Sequence, residues 1–431
     1  MIRQLSRLCR KYQRFAIGGC FTLGLMLLAQ IMPTVQAAVP VRTADSLVNE
    51  IGVATHLRYL DTAYGRYEEV IKPRLRELGV RHIRDGGKDP LMFQKMNDLA
   101  KLGIKSTLVM DPRDGITPAN VIPEVVNPVL PAIAAVEGPN EWDVQRQLTY
   151  NGQPFPAGVR LYQTELYNVM KGNPTTRNIQ VLMPSLAIPF NAPQLGYLAP
   201  LDAGNMHSYA GGNLPSQDLD TKWIPLTKVV SGDKPIVATE TGWHTAIADP
   251  QPPQAAVSEI AAAKYIPRLF LEYFNRNIQR AFVYELIDER PAPDQENNFG
   301  LLRFDGSPKP AFVALKNLIT LLKDPGANFQ PQPLNYQLSG NLAAVHHTIL
   351  QKRDRRFYLI LWQEVPSFNT QTKTNLVVPE QAITLTLQTP IKQAKAYQPL
   401  NSLNPLWQQP TPKTLQLRVP DHPLIIELTP A

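Results

Sequence analysis

Two glutamates stand at the ends of short apolar runs. Glu141 lies in A-A-V-E-G-P-N-E-W-D (Ala134–Asp143) and Glu240 in K-P-I-V-A-T-E-T-G-W (Lys234–Trp243). A buried strand that carries a carboxylate at its C-terminal tip is how a parallel α/β barrel presents reacting groups. Two such carboxylates can cleave a glycosidic bond, one attacking the anomeric carbon and the other protonating the departing oxygen. Their surroundings must keep one ionised and the other protonated near neutral pH. The 99 positions from Glu141 to Glu240 correspond to three strand–helix units of about 33 residues. That spacing puts the pair on the fourth and seventh strands, which face each other across a closed barrel. Glu137 also closes the first run and is the rival for the acid role.

The elements around the pair repeat. Apolar runs start at Ile51, Val80, Lys105, Ala132, Ile179, Ala203, Pro235 and Ala281. Near-continuous apolar strands fit a parallel sheet covered on its outer face. Between them the pattern predicts helices at Arg66–Leu78, Pro90–Leu102, Gly158–Lys171, Ala255–Asn275 and Pro310–Leu322, with Gly79, Gly103 and Gly172 as stops. Pro267 is expected to kink the longest. Eight such units match a (β/α)8 TIM barrel over residues 38–325. No glycine-rich phosphate loop follows the first run, which argues against an open doubly wound sheet. After Asp324-Pro325-Gly326 the helical period gives way to alternating runs, among them R-F-Y-L-I-L-W, T-L-Q-L-R-V and L-I-I-E-L. Residues 326–431 therefore read as a small all-β sandwich.

Composition narrows the class. The 41 prolines in 431 residues point to rigid loops rather than long helices. Residues 1–37 read as a signal peptide: Arg3, Arg7, Arg10, Lys11 and Arg14 precede an apolar stretch, and Val35-Gln36-Ala37 offers a cleavage site. An uncleaved membrane anchor is the alternative. The expected location is secreted or periplasmic, with membrane contact only through this segment. The segment holds five basic and no acidic residues, so the formal +7 of the whole chain falls to +2 without it. The basic balance thus gives no reason to expect nucleic acid as a partner. Cys9 and Cys20 both lie there, leaving no thiol for a disulfide or a cysteine metal site beyond it.

Four elements in order carry a resemblance: Asn140-Glu141, His207-Ser208-Tyr209, Glu240 in T-E-T-G-W, and Y-E-L-I-D-E-R (Tyr284–Arg290) before F-G-L-L-R-F-D-G-S-P-K-P-A-F (Phe299–Phe312). Together they resemble the clan A glycoside hydrolases over roughly residues 45–322. The resemblance implies a retaining double displacement with Glu141 as acid/base and Glu240 as nucleophile. It implies that Asn140 bonds the sugar 2-hydroxyl, Tyr209 holds Glu240, and Arg84 in H-I-R-D-G-G keeps the nucleophile ionised. Trp243 or Tyr284 would give a sugar a stacking face. Many clan members carry tryptophan on the eighth strand where this chain has Tyr284-Glu285, so the substrate is not assigned by that position.

Other roles compete for some of these residues. Arg84 could instead pair with Asp85 or Asp111. His207 could be a substrate ligand or a supporting hydrogen-bonder, and His56 reads as a packed or rim histidine. Trp142, Trp223 and His346-His347 read as structural. A metal site of His207, His244 and a carboxylate has no H-E-x-x-H pair behind it, so neither metal nor cofactor is expected. The expected protein is a monomeric glycosidase acting on a poly- or oligosaccharide. A non-catalytic carbohydrate-binding barrel and a transglycosylase using the same pair are the alternatives.

Overall fold

The computed structural model describes residues 39–431. The expected signal segment lies outside the described residues. Eight parallel strands follow the eight apolar runs: β1 (Ile51–Ala54), β2 (His82–Gly86), β3 (Lys105–Val109), β4 (Ile133–Glu137), β5 (Gln180–Leu182), β6 (Gly204–His207), β7 (Ile236–Thr241) and β8 (Arg280–Val283). The sheet runs 5-4-3-2-1-8-7-6, and a parallel bridge between Leu182 and Ala203 joins β5 to β6. The barrel is thereby closed. One interior layer takes Ala135, Leu182, Ala203, Val237 and Phe282 from five successive strands. Phe282 fits because β1 carries Gly52 opposite it: a Cβ there would lie 2.5 Å from the Phe282 ring.

Seven helices are labelled here: α1 (Ala44–Glu50), α2 (Lys72–Leu78), α3 (Pro90–Lys101), α4 (Ala157–Gly172), α5 (Ile224–Ser231), α6 (Glu259–Asn275) and α7 (Pro310–Leu322). Local chemistry sets their ends. Asp89 caps α3 by accepting from the Met92 N–H at 2.7 Å, and Gly79 ends α2 at φ +81. The helix expected from Arg66 instead opens with a π-helical turn, Tyr67–Ile71, before α2. Two more π turns, Val121–Val126 and Leu219–Trp223, occur in the same setting. Each ends two residues before a proline, Pro73, Pro128 or Pro225. Proline has no N–H for the i−4 carbonyl and its ring crowds that carbonyl, which accounts for the widened turn just ahead of it.

The C-terminal strands are β9 (Tyr336–Gly340), β10 (Val345–Gln351), β11 (Phe357–Gln363), β12 (Gln381–Leu387), β13 (Ile391–Tyr397), β14 (Trp407–Pro410), β15 (Thr414–Val419) and β16 (Leu424–Pro430). They form a three-stranded sheet, 9-12-15, against a six-stranded one. The larger sheet also takes in Arg42–Thr43, ahead of the barrel, which pairs parallel to β10. The fold is thus a (β/α)8 barrel followed by an all-β sandwich. Parity within β11 shows how the layers meet. Phe357, Leu359 and Leu361 fill the sandwich core, while Tyr358, Ile360 and Trp362 belong to the cluster around the barrel. A strand buried on both faces loses the alternation of a half-exposed one, hence the unbroken F-Y-L-I-L-W. Among the described residues no helix is long and apolar enough to cross a membrane.

Candidate active site

The C-terminal ends of the barrel strands surround a cavity of about 550 Å³ lined by Arg84, Asn140, Glu141, Tyr209, Glu240 and Tyr284, among others. The ladder slips between Val237 and Glu240 on one side of β7 and between Ala238 and Thr241 on the other. Slips of this kind re-aim side chains at barrel rims. Thr239 and Glu240 both serve the site as a result. Thr239 Oγ1 lies 3.0 Å from His207 Nε2, and Glu240 Oε2 accepts from Tyr209 Oη at 2.7 Å.

Glu141 is placed differently from its partner. Strand β4 ends at Glu137, so Glu141 stands on the loop beyond, in the left-handed region at φ +56. Non-glycine residues in that region cluster at functional sites. Three anchors hold it: Asn140 bridges to Ser185 beyond β5, the Glu141 N–H donates to the Ser185 carbonyl at 3.2 Å, and the Asn140 N–H donates to Asp111 at 2.9 Å. One oxygen each of Glu141 and Glu240, with a ring nitrogen of His207, lie within 4.8 Å of one another.

The charges around the pair are asymmetric. Arg84 hydrogen-bonds Glu240 through Nη1, Asn140 Oδ1 through Nη2 at 2.7 Å, and Glu137 through Nε and Nη2 at 3.0 and 2.9 Å. It pairs with neither Asp85 nor Asp111. Burial would raise the Glu240 pKa, but His207, Arg84 and the Tyr209 hydroxyl hold it below the usual carboxylate range. His207 donates from Nδ1 to Glu141 at 2.6 Å. Thr239 commits its own proton to Asn205 at 2.7 Å, so its oxygen accepts from His207 Nε2. Burial would lower the His207 pKa, yet the carboxylates of Glu240 and Glu141 push it up to about 10. The oxygen of Asn140 is bound by Arg84 and Ser185, which leaves its amide nitrogen as the free donor of that side chain.

Of the residues singled out in the sequence, Arg84, Asn140, Glu141, Tyr209, Glu240 and Tyr284 line the cavity, and His207 bonds the pair from below. Trp243 is not with them and gives no sugar a stacking face. Past the slip in β7, Thr241 and Trp243 face helix α6. Thr241 Oγ1 lies 3.2 Å from Tyr273 Oη, and Trp243 packs on Tyr265 and donates to the Asn213 carbonyl at 3.0 Å. His244 is not beside His207; its Nε2 meets the Gln254 carbonyl at 2.8 Å. Trp142 is buried and donates to Asp111, and His346 is bonded to Glu272 at 2.6 Å.

The sequence did not single out Asp111, Glu296 and Phe299 for this wall, nor Tyr59, on which His56 stacks. Tyr59 follows β1, Asp111 follows β3, and Glu296 and Phe299 share the loop after β8; of these only Phe299 opens a stretch that the sequence marks. Tyr284 Oη donates to Glu296 at 2.8 Å and lies 3.2 Å from His56 Nε2. Among the described residues two groups could hold a cation by distance, Glu141–His207–Glu240 and His56–Glu285–Glu289. In the first, His207 is protonated through neutral pH and offers no lone pair.

The fold and this cavity define the class: a closed (β/α)8 barrel with a carboxylate-bearing mouth and a β-sandwich beside it. No family profile and no curated protein matches the chain. Solved structures share its shape, two of them along most of the chain. A glucosidase from Croceicoccus marinus aligns with a TM-score of 0.60 at 13% identity, covering 92% of this chain and 98% of that one. A family 39 glycoside hydrolase from Bacteroides cellulosilyticus WH2 aligns with a TM-score of 0.54 at 16% identity, covering 91% and 83%. At these identities the likeness is one of fold.

Proposed function

We propose that the protein is an exported glycoside hydrolase that cleaves O-glycosidic bonds with retention of configuration. The observation that carries this reading is the approach of Glu141 and Glu240 oxygens to within 4.8 Å in one cavity. Retaining enzymes hold their carboxyls about 5–5.5 Å apart, whereas inverting ones need about 6.5–9.5 Å to admit a water. The asymmetry of the pair supports the division of labour. Glu240 is gripped on both oxygens by Arg84 and Tyr209 and kept anionic, as a nucleophile must be. Glu141 is the more accessible of the two, its side chain 26% exposed against 11%, and can reach a leaving oxygen.

In the first step Glu240 attacks the anomeric carbon while Glu141 passes its proton to the departing oxygen. In the second, Glu141 takes a proton from water, and that water displaces Glu240 from the sugar. Asn140 offers its amide N–H to the 2-hydroxyl, a contact that strengthens in the transition state.

The test uses aryl glycosides with dinitrophenolate leaving groups. Glu141→Ala should still form the glycosyl-enzyme, because that leaving group needs no proton, and azide should then give a retained glycosyl azide. Glu240→Ala should form no covalent species and give the inverted azide. Both should lose several orders of magnitude on natural linkages. An inverted product from the unmodified enzyme, read by proton NMR, would remove Glu240 as nucleophile.

A further inference from the structure

Glu137 is fully buried and is not among the residues lining the cavity, so no substrate touches it. It nevertheless meets the two cations in direct contact with the glutamate pair, Arg84 and His207. Two oxygens of Glu137 take two N–H groups of Arg84 at 2.9 and 3.0 Å, the planar fork that fixes a guanidinium in one orientation. One of those oxygens also lies 3.8 Å from His207 Nε2. Arg84 spends its remaining contacts on Glu240 and Asn140. His207 spends Nδ1 on Glu141 at 2.6 Å, with Glu240 at 3.5 Å. Each cation thus touches Glu137 on one side and a member of the glutamate pair on the other.

We propose that Glu137 is a positioning residue whose fixed negative charge, balanced against Arg84 and His207, lets the pair Glu141–Glu240 hold one proton in the working pH range. This rests on the assignment of that pair as acid/base and nucleophile. With Arg84 and His207 positive, Glu137 and Glu240 negative and Glu141 protonated, the five groups sum to zero. Without the Glu137 charge they carry one excess positive charge, which favours ionisation of both members of the pair. Burial alone would raise the Glu137 pKa, but Arg84 and His207 draw it down to about 2, so the charge persists throughout that range. The remaining polar groups that interact with the pair come from other elements: Tyr209 after β6, Arg113 after β3, Tyr284 and Glu296 after β8 and His56 after β1. Arg113 is itself a cation, tied to Asp111 at 2.8 Å, and Glu296, whose pKa burial raises, is engaged with Tyr284 at 2.8 Å rather than with Arg84 or His207, so neither replaces Glu137 as their counter-ion.

The experiment compares Glu137→Gln, which keeps shape and removes charge, with Glu137→Asp, which keeps charge and shortens the reach. In Glu137→Gln both limbs of the kcat/KM profile should move to lower pH, the alkaline limb by one unit or more. The rate loss near neutrality should be at least tenfold larger for glycosides with poor leaving groups than for dinitrophenyl glycosides, since only the former need the proton. Glu137→Asp should lower kcat and leave the profile in place. Imidazole NMR gives a readout independent of turnover: His207 should titrate at lower pH in Glu137→Gln than in the unmodified protein. A uniform loss at every pH with unchanged His207 titration would reduce Glu137 to scaffold and overturn the inference. If the unmodified protein hydrolysed no glycoside, the functional reading would fall, and the His207 titration would still decide the charge coupling.

Discussion

Tyr209 and Trp243 are both aromatic residues close in sequence to Glu240 or its neighbour strand, yet they do opposite work. The Tyr209 hydroxyl holds Glu240 Oε2 at 2.7 Å, whereas Trp243, 4% exposed, fills the space between β7 and α6. The two should therefore separate in mutation. Tyr209→Phe should lower kcat by about 10–100-fold, the loss of one hydrogen bond to a charged group, with its thermal midpoint nearly unchanged. Trp243→Ala should cost about 3–5 kcal/mol of stability, as for large aromatic truncations in cores, and leave KM near its original value. Chemical denaturation and steady-state kinetics on the same preparations would check the contrast. A KM rise in Trp243→Ala without loss of stability would return it to the sugar site.

The elements succeed or fail by how they share the barrel interior. Gly52 on β1 and Phe282 on β8 face each other, and a methyl on Gly52 would meet ring carbons at 2.5 and 2.7 Å. Gly52→Ala should destabilise by about 1–3 kcal/mol through overpacking. Phe282→Leu should be destabilising alone through the cavity it leaves. Combined, they should cost less than their sum, because the smaller side chain vacates the space the methyl needs. A double-mutant cycle by urea unfolding measures that coupling, and simple additivity would mean the backbone moves to accommodate the methyl. The π turns before Pro73, Pro128 and Pro225 make a related point. A residue that cannot donate reshapes the turn ahead of it while the helix it begins still forms.

Across the whole molecule, helix α6 is the hinge of stability, because barrel and sandwich both bury it. Arg268, fully buried, donates to Glu364 at 2.8 Å and to the Val365 and Asp421 carbonyls at 3.1 Å. Glu272 accepts from Trp362 at 2.8 Å, and Tyr265 takes the Ser367 N–H at 2.8 Å. A chain ending after Leu322 would take these partners from Arg268 and Glu272 and lay bare the apolar barrel side chains that cluster with Tyr358, Ile360 and Trp362, and a large exposed apolar patch drives aggregation. Such a truncation should give insoluble or molten protein. The full chain should unfold in one calorimetric transition. A soluble, cooperatively folding truncation would show that the barrel stands alone.

The amino-acid sequence by itself determined the number and order of the barrel strands. Each is a short apolar run, and burial on both faces leaves few other residues possible there. It determined the change to alternating strands after Asp324, because the side-chain period is a local property. It marked Glu141 and Glu240, since carboxylates that close apolar runs stand out, while Asn140 and Tyr209 were marked by the resemblance. Among the longer sandwich strands, Tyr336–Gly340, Ile391–Tyr397 and Trp407–Pro410 do not stand out in the sequence: the first alternates over only a few residues, and the other two mix polar and apolar residues without a clear period. Only the tertiary structure decided what depends on direction and distance. The slip in β7 sends Glu240 to the mouth and Trp243 to α6, and no composition or spacing encodes which way a side chain turns. The pairing of Arg84 with Glu137 and Glu240 joins residues 53 and 156 positions away. Glu137 could be separated from Glu141 only once one was buried under Arg84 and the other stood at the cavity. Closure of the barrel brings such groups together, and charge balance among them is a property of the assembled site.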